Sequence, residues 1–233
     1  MSNLKVFENN GGKFLISESL LTSQLSRIKA FVFDWDGVFT NGEKDHDLQS
    51  RFNEVDSMGT NLLRFTFFLK QKELPITAII SGENNKAAFT FTNRECFNAN
   101  YFKVANKTDA TKHLCENFGI LPSEIAYVFD DVLDLSVAKE CGLRIFISRK
   151  ANPMLNEYVV KNKLADYITA AESGNFAVRE SCEMLMSCYG LFDEALGQRV
   201  SYSDKYANYI SQRRAVKTKY YTISEGKISE TQI

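Results

Sequence analysis

The stretch FVFDWDGVFTNG, residues 31–42, decides how the rest of the chain is read. It starts as an apolar run with the composition of a buried strand and delivers Asp34 and Asp36 where that run ends. Residues two apart on an extended chain project to the same side, so the two carboxylates stand together at the rim of a hydrophobic core. Burying a carboxylate without a partner is expensive, and two side by side repel. Either a local turn or a bound cation has to compensate them.

Working outward, apolar runs alternate with helical patterns: AFVFDWD, GTNLLRFTFFLKQK, ITAIISG, NKAAFTFTNREC, ANYFKV, TKHLCENFG, IAYVFDD, LSVAKECG and RIFIS. This alternation predicts an α/β fold, a Rossmann-like doubly wound parallel sheet with crossover helices. Its ligand site lies beyond the C-terminal ends of the strands. The polar segment between Thr40 and Asp56 interrupts the alternation, carries the turn-forming pair Asn41-Gly42 and predicts a β-hairpin inserted at the mouth of that site. Residues 1–28 read as a leader with one short helix, and AVRESCEMLMSCYG as an amphipathic helix. Residues 200–233 read as a polar tail, basic around Arg213, Arg214, Lys217 and Lys219, attached to the core rather than part of it.

The 233 residues suffice for one well-buried core, and a 44% hydrophobic content is ordinary for a globular protein. A net charge of -1 gives no whole-molecule signal for nucleic acid or an anionic membrane. The five cysteines form no CxxC pair, and the two histidines, His46 and His113, lie far apart, which argues against a zinc site or a disulfide framework. No segment approaches the ~18 consecutive apolar residues of a membrane span. A soluble, cytoplasmic protein is expected, with a small-molecule partner.

The expected strand ends deliver a short list: Asp34 and Asp36, then Ser81 and Gly82, then Asp130 and Asp131 followed by Asp134. Lys107 opens a helix after ANYFKV. Carboxylates converging on one crevice make a hard-oxygen site suited to Mg²⁺. A hydroxyl and an ammonium beside it suit a phosphoryl group, whose transfer spreads negative charge over the equatorial oxygens. Asp34 then serves as nucleophile and Asp36 as general acid and base.

In that order the motifs DWDGVFT, ISG, Lys107 and FDDVLD resemble those of the haloacid dehalogenase superfamily of phosphatases. The wording of DWDGVFTNG, RFNEVDSMG, IAYVFDDVLDLSVAKECGL and AVRESCEMLMSCYGLFDEALGQ is similar to its capless members acting on 3-deoxy-D-manno-octulosonate 8-phosphate or nonulosonate 9-phosphates. The resemblance spans residues 29–199. It implies a HAD core without a separate cap domain, with the 40–56 hairpin and a neighbouring subunit of a homotetramer closing the site. It also implies Mg²⁺ held by Asp34, the Asp36 carbonyl and Asp130, with Asp131 and Asp134 in support. Ser81, Gly82 and Lys107 would bind phosphate, and Arg179 is a candidate for a substrate carboxylate. The implied setting is the synthesis of bacterial surface lipopolysaccharide.

Four positions in three motifs depart from the family pattern: Glu83 replaces an arginine, Phe129 a glycine, and Val55 and Ser57 an arginine and a glycine. These departures define the alternative, a catalytically weakened relative with a binding or assembly role. A receiver-type signalling domain also uses an aspartate, Mg²⁺, a hydroxyl and a lysine. Its acidic pair, however, precedes its phosphoacceptor, whereas here Asp34-x-Asp36 opens the core.

Overall fold

The computed structural model describes residues 4–46 and 49–233. Among them nine strands form one sheet, in the order β1-β7-β6-β5-β2-β3-β4-β8-β9. The central strands are those expected from their apolar runs: β2 (Ala30–Phe33), β3 (Ile76–Ile80), β4 (Ala99–Tyr101), β5 (Ile125–Phe129) and β6 (Leu143–Ser148), all parallel. β7 (Tyr167–Glu172) continues the parallel series beside β6. Each run is buried on both faces because helices cover both, and for that reason β2 shows no polar alternation. Phe31 and Phe33 face one apolar layer, and Ala30 and Val32 the other.

On the first face lie α2 (Glu18–Leu25), α3 (Glu54–Gln71), α4 (Lys86–Glu95) and α8 (Ala177–Cys188). α5 (Lys107–Phe118), α6 (Leu135–Ala138) and α7 (Pro153–Lys161) cover the second. α3 starts where the Asn53 side chain accepts the Asp56 N–H at 2.8 Å and stops at Lys72, whose φ of 65° ends the helix in a left-handed residue. Between those ends it is buried almost all round, because α8, α9 (Phe192–Val200) and α10 (Asp204–Ala215) pack on the side away from the sheet.

Both ends of the chain correct the sequence reading. After the short α1 (Lys5–Asn9), β1 (Lys13–Phe14) pairs antiparallel with β7, and Leu4, Leu21, Leu25 and Ile28 are buried, so the described part of the 1–28 leader belongs to the core. The 200–233 tail is no appendage. In α10, Tyr206, Tyr209 and Ile210 are buried; β8 (Lys219–Ser224) extends the sheet parallel to β4, and β9 (Lys227–Thr231) folds back on β8. Arg213, read as part of a solvated basic run, instead pairs with Glu95 at 2.9 Å and donates to Asn61 at 3.0 Å. Arg64, fully buried beside them, donates to the carbonyls of Glu95 and Cys96 at the C-terminal end of α4.

The expected hairpin over 40–56 also differs. Among the described residues no strand lies between Phe33 and Glu54, and residues 54–56 already belong to α3. Asp47 and Leu48 lie outside the described residues. The Asp45 N–H donates to the Gln49 carbonyl at 2.9 Å. A polar two-stranded ribbon with no apolar face to bury has little to hold it in register.

Candidate functional site

β2 and β5 are neighbours, and the ladder pairs Phe33 with Val128, so Asp34 and Asp130 leave the sheet side by side. The Asp34 N–H extends the ladder by donating to the Val128 carbonyl at 3.0 Å. Beyond it Val38 and Phe39 donate to the Trp35 carbonyl, which curls the loop into a tight turn. Trp35 seats that turn: it is fully buried, stacked on Phe39, and donates from Nε1 to Ser50 at 2.9 Å. Gly37, at φ 90°, brings the backbone so close to Asp130 that a Cβ would stand 2.0 Å from Oδ2.

Lys107, the first residue of α5, is 3% exposed and lies between two carboxylates, 2.6 Å from Asp34 and 2.7 Å from Asp134. Asp134 also accepts from the Tyr127 hydroxyl and, at 3.3 Å, from the Asp131 N–H. One carboxylate oxygen from each of Asp34, Asp130 and Asp134 lies within 4.8 Å of the others, and all three residues are buried. Burial pushes the Asp34 carboxyl up to about 7 despite Lys107. It pushes Asp130 up to about 9, with Asp34 and Asp134 adding to the rise and Arg149 opposing it. The physical cause is an excess of negative charge in a space that water does not reach.

This donor set fits a hard divalent cation. It offers three buried carboxylates, and Oδ1 of Asp130 is buried without a hydrogen-bond partner among the described residues. The loop after β2 curls into a turn, yet the three carboxylates outnumber the two cations, Lys107 and Arg149, that face them.

The structure distributes the expected residues unevenly. Asp34, Lys107 and Asp130 converge. Of the two residues expected in support, Asp134 joins them and Asp131 does not, its side chain instead capping the following turn by accepting the Val132 N–H at 2.7 Å. The Asp36 side chain points to other partners: Lys44 at 2.5 Å on Oδ1 and Asn85 at 2.7 Å on Oδ2. Ser81 stands buried at the end of β3, its hydroxyl accepting the Glu83 N–H at 3.1 Å, and Gly82 beside it has open space where a side chain would project. Arg179 is placed elsewhere, on α8 packed against Gly59 of α3, with its Nε on Glu183 at 2.6 Å.

The departures fall outside the carboxylate cluster. Phe129 is fully buried and stacks between Tyr127 and Phe146 in the second apolar layer, so its ring takes no space at the site. Glu83 and Val55 are exposed, and Ser57 donates to Glu95. Sequence reasoning missed Lys44, Asn85, Arg149, Ser173 and Tyr127. Of these, Arg149 alone carried a signal, since it directly follows the apolar run RIFIS. A cleft of about 460 Å³ lined by Thr40, Asn41, Lys44, Gln49, Arg51 and Asn53 opens beside Asp36.

No family model matches the chain. The 3-deoxy-D-manno-octulosonate 8-phosphate phosphatase KdsC of Escherichia coli K12 is 29% identical over 183 residues, covering 76% of this chain and 89% of that protein. KdsC of Salmonella typhi is 38% identical over 100 residues, 43% of this chain and 50% of that protein. The solved 3-deoxy-D-manno-octulosonate 8-phosphate phosphatase of Moraxella catarrhalis, in complex with magnesium, phosphate and KDO, superposes with a TM-score of 0.63 at 25% identity. That match covers 77% of this chain and 97% of the other. In sequence and in fold, this chain resembles the phosphatases of the haloacid dehalogenase superfamily and, among them, KdsC.

Proposed function

We propose that the protein is a divalent-metal-dependent phosphatase that hydrolyses a sugar-acid phosphate, of the octulosonate 8-phosphate or nonulosonate 9-phosphate kind, through an aspartyl-phosphate on Asp34. The observation that carries this reading is the buried group Asp34–Lys107–Asp134 beside Asp130, whose Oδ1 has no partner. The substrate class is supported by the E. coli and M. catarrhalis relatives. A weakened relative has less to recommend it, since Phe129 packs into the core rather than over the carboxylates.

Asp34, Asp130 and Asp134 would hold Mg²⁺, which when bound supplies positive charge against the phosphoryl oxygens and lets both Asp34 and Asp130 stay ionised. A carboxylate oxygen of Asp34 attacks phosphorus, and the bond from phosphorus to the sugar oxygen breaks. Asp36, protonated, gives its proton to that leaving oxygen; Asn85 holds the other carboxylate oxygen, and Lys44 has to yield its place on Oδ1 for this to happen. A water then attacks phosphorus, Asp36 takes its proton, and the bond to Asp34 breaks, releasing inorganic phosphate and the free carboxylate. Lys107 and the Ser81 hydroxyl bind the transferred group.

We place this activity in the cytoplasm, in bacterial surface-polysaccharide synthesis, and in a homotetramer. Exposed Val132 and Leu133, directly after the acidic residues, support a neighbour covering the mouth. The test is phosphate release from a panel of sugar-acid and ordinary sugar phosphates, with and without Mg²⁺. Selective, Mg²⁺-dependent turnover of an octulosonate or nonulosonate phosphate is expected. Equal turnover of ordinary sugar phosphates would remove the substrate class, and no turnover at all would remove the enzyme.

A further inference from the structure

The two carboxylate oxygens of Asp130 have unlike surroundings. Oδ2 accepts from Arg149 Nη2 at 2.6 Å, while Oδ1 is buried and accepts nothing. The same Arg149 nitrogen donates to Ser173 Oγ at 3.0 Å, and the Ser173 hydroxyl lies 2.6 Å from the Gly37 carbonyl and 3.0 Å from that of Thr40. One guanidinium therefore joins the ends of β5, β6 and β7 to the loop that follows Asp34. The fit is close, since a Cβ on Gly37 would also stand 2.6 Å from Arg149 Nη2. The Arg149 side chain is 26% exposed, so its charge is applied largely out of water.

We infer that Arg149 is a positioning residue for the metal site: it holds Asp130 by Oδ2 and so keeps Oδ1 as the oxygen offered to a divalent cation shared with Asp34 and Asp134. The inference rests on the metal-dependent reading above. Its sign separates it from a simple charge effect. A guanidinium this close repels a divalent cation, so if its charge were all that mattered, removing it would tighten metal binding. If Arg149 sets the rotation of Asp130, removing it frees the carboxylate and weakens binding, as the loss of groups that orient metal ligands does.

The experiment is calorimetric titration of the full chain with Mg²⁺ alone, with no substrate present, on the wild type and on Arg149→Met, Arg149→Lys, Ser173→Ala and Asp130→Asn. Asp130→Asn should lose the site. Arg149→Met should bind Mg²⁺ about 10-fold more weakly and Arg149→Lys should recover part of that loss. Should Arg149→Met fail to fold, Ser173→Ala decides: it leaves every charge in place but removes one anchor of Nη2, and about 3-fold weaker binding is expected, less than for Arg149 because Ser173 is one contact further from the ligand oxygen. Unchanged or tighter binding in folded Arg149→Met, or unchanged binding in Ser173→Ala, overturns the positioning role while leaving the phosphatase reading intact. A wild type that binds no Mg²⁺ overturns both.

Discussion

Two groups of buried charge sit in this protein, and they are built in opposite ways. At the strand ends, Asp34, Asp130 and Asp134 share Lys107 and Arg149, so three carboxylates meet two cations and one carboxylate oxygen has no partner. Behind α3, Glu95 is matched on every side: the Arg213 guanidinium joins one of its oxygens to Asn61, Arg94 and Ser57 reach its other oxygen, and Arg64 donates to the C-terminal carbonyls of α4. A cation at a helix C-terminus is where the helix dipole favours it. Burial alone therefore does not mark a functional site. What separates the two is the sign and size of the charge that the protein leaves uncompensated.

The strongest way to break this contrast is Asp34→Asn. It removes the proposed nucleophile without changing volume, so turnover should fall more than about 10³-fold, measured as phosphate release, with the unfolding midpoint held or raised. The opposite pattern is expected at the second group. Glu95→Ala leaves the largely enclosed Arg213 without its counter-ion and should cost about 3 kcal/mol of stability in urea unfolding, with Mg²⁺ affinity of the folded protein unchanged. If Glu95→Ala weakened Mg²⁺ binding as well, the two groups would be coupled and the contrast lost.

pH sharpens the comparison next. Asp34 and Asp130 have raised carboxyl pKa values, about 7 and about 9, caused first by burial. A raised acid is favoured in its neutral form by the folded state, so its stabilisation is complete below the unfolded value near 3.8 and is lost as pH climbs through the folded value. The metal-free protein should lose about 2 kcal/mol between pH 7.5 and pH 9, most of it from Asp130, and saturating Mg²⁺ should restore most of it. Thermal melts at the two pH values, with and without Mg²⁺, test this; a metal-free protein steadier at pH 9 would contradict it. The smallest expected effect is at Asn85, whose amide supports Asp36 at 2.7 Å. Asn85→Ala should cost about 1 kcal/mol in stability and lower turnover more than it raises KM.

The same contrast explains what could be read from the sequence. The five central strands were legible because each is an apolar run closed by a charge or a glycine, and a strand covered on both faces cannot hide that pattern. β8 and β9 were not, since KYYTIS and KISET carry polar residues at a sheet edge and resemble loop, while β1 is two residues long. In the site, Asp34, Asp130 and Lys107 were legible from their places at strand and helix ends. Which of Asp131 and Asp134 joins them was not, because both sit in one tight turn and the cap that diverts Asp131 is a matter of geometry. Arg213 was misread for a related reason: a run of basic residues gives no hint that one of them has a buried glutamate waiting on another helix.

The pairing of β8 with β4 has a consequence for how the chain is made. Ala99 finds its ladder partner at Lys219, so roughly 120 residues must leave the ribosome after β4 before that edge is closed, on the order of ten seconds at ordinary rates of synthesis. Through that interval a nascent sheet presents an open strand to its surroundings. Stop codons or slow codons late in the message should therefore harm yield far more than the distance from the carboxylates would suggest, through aggregation of a chain whose chemistry is already assembled.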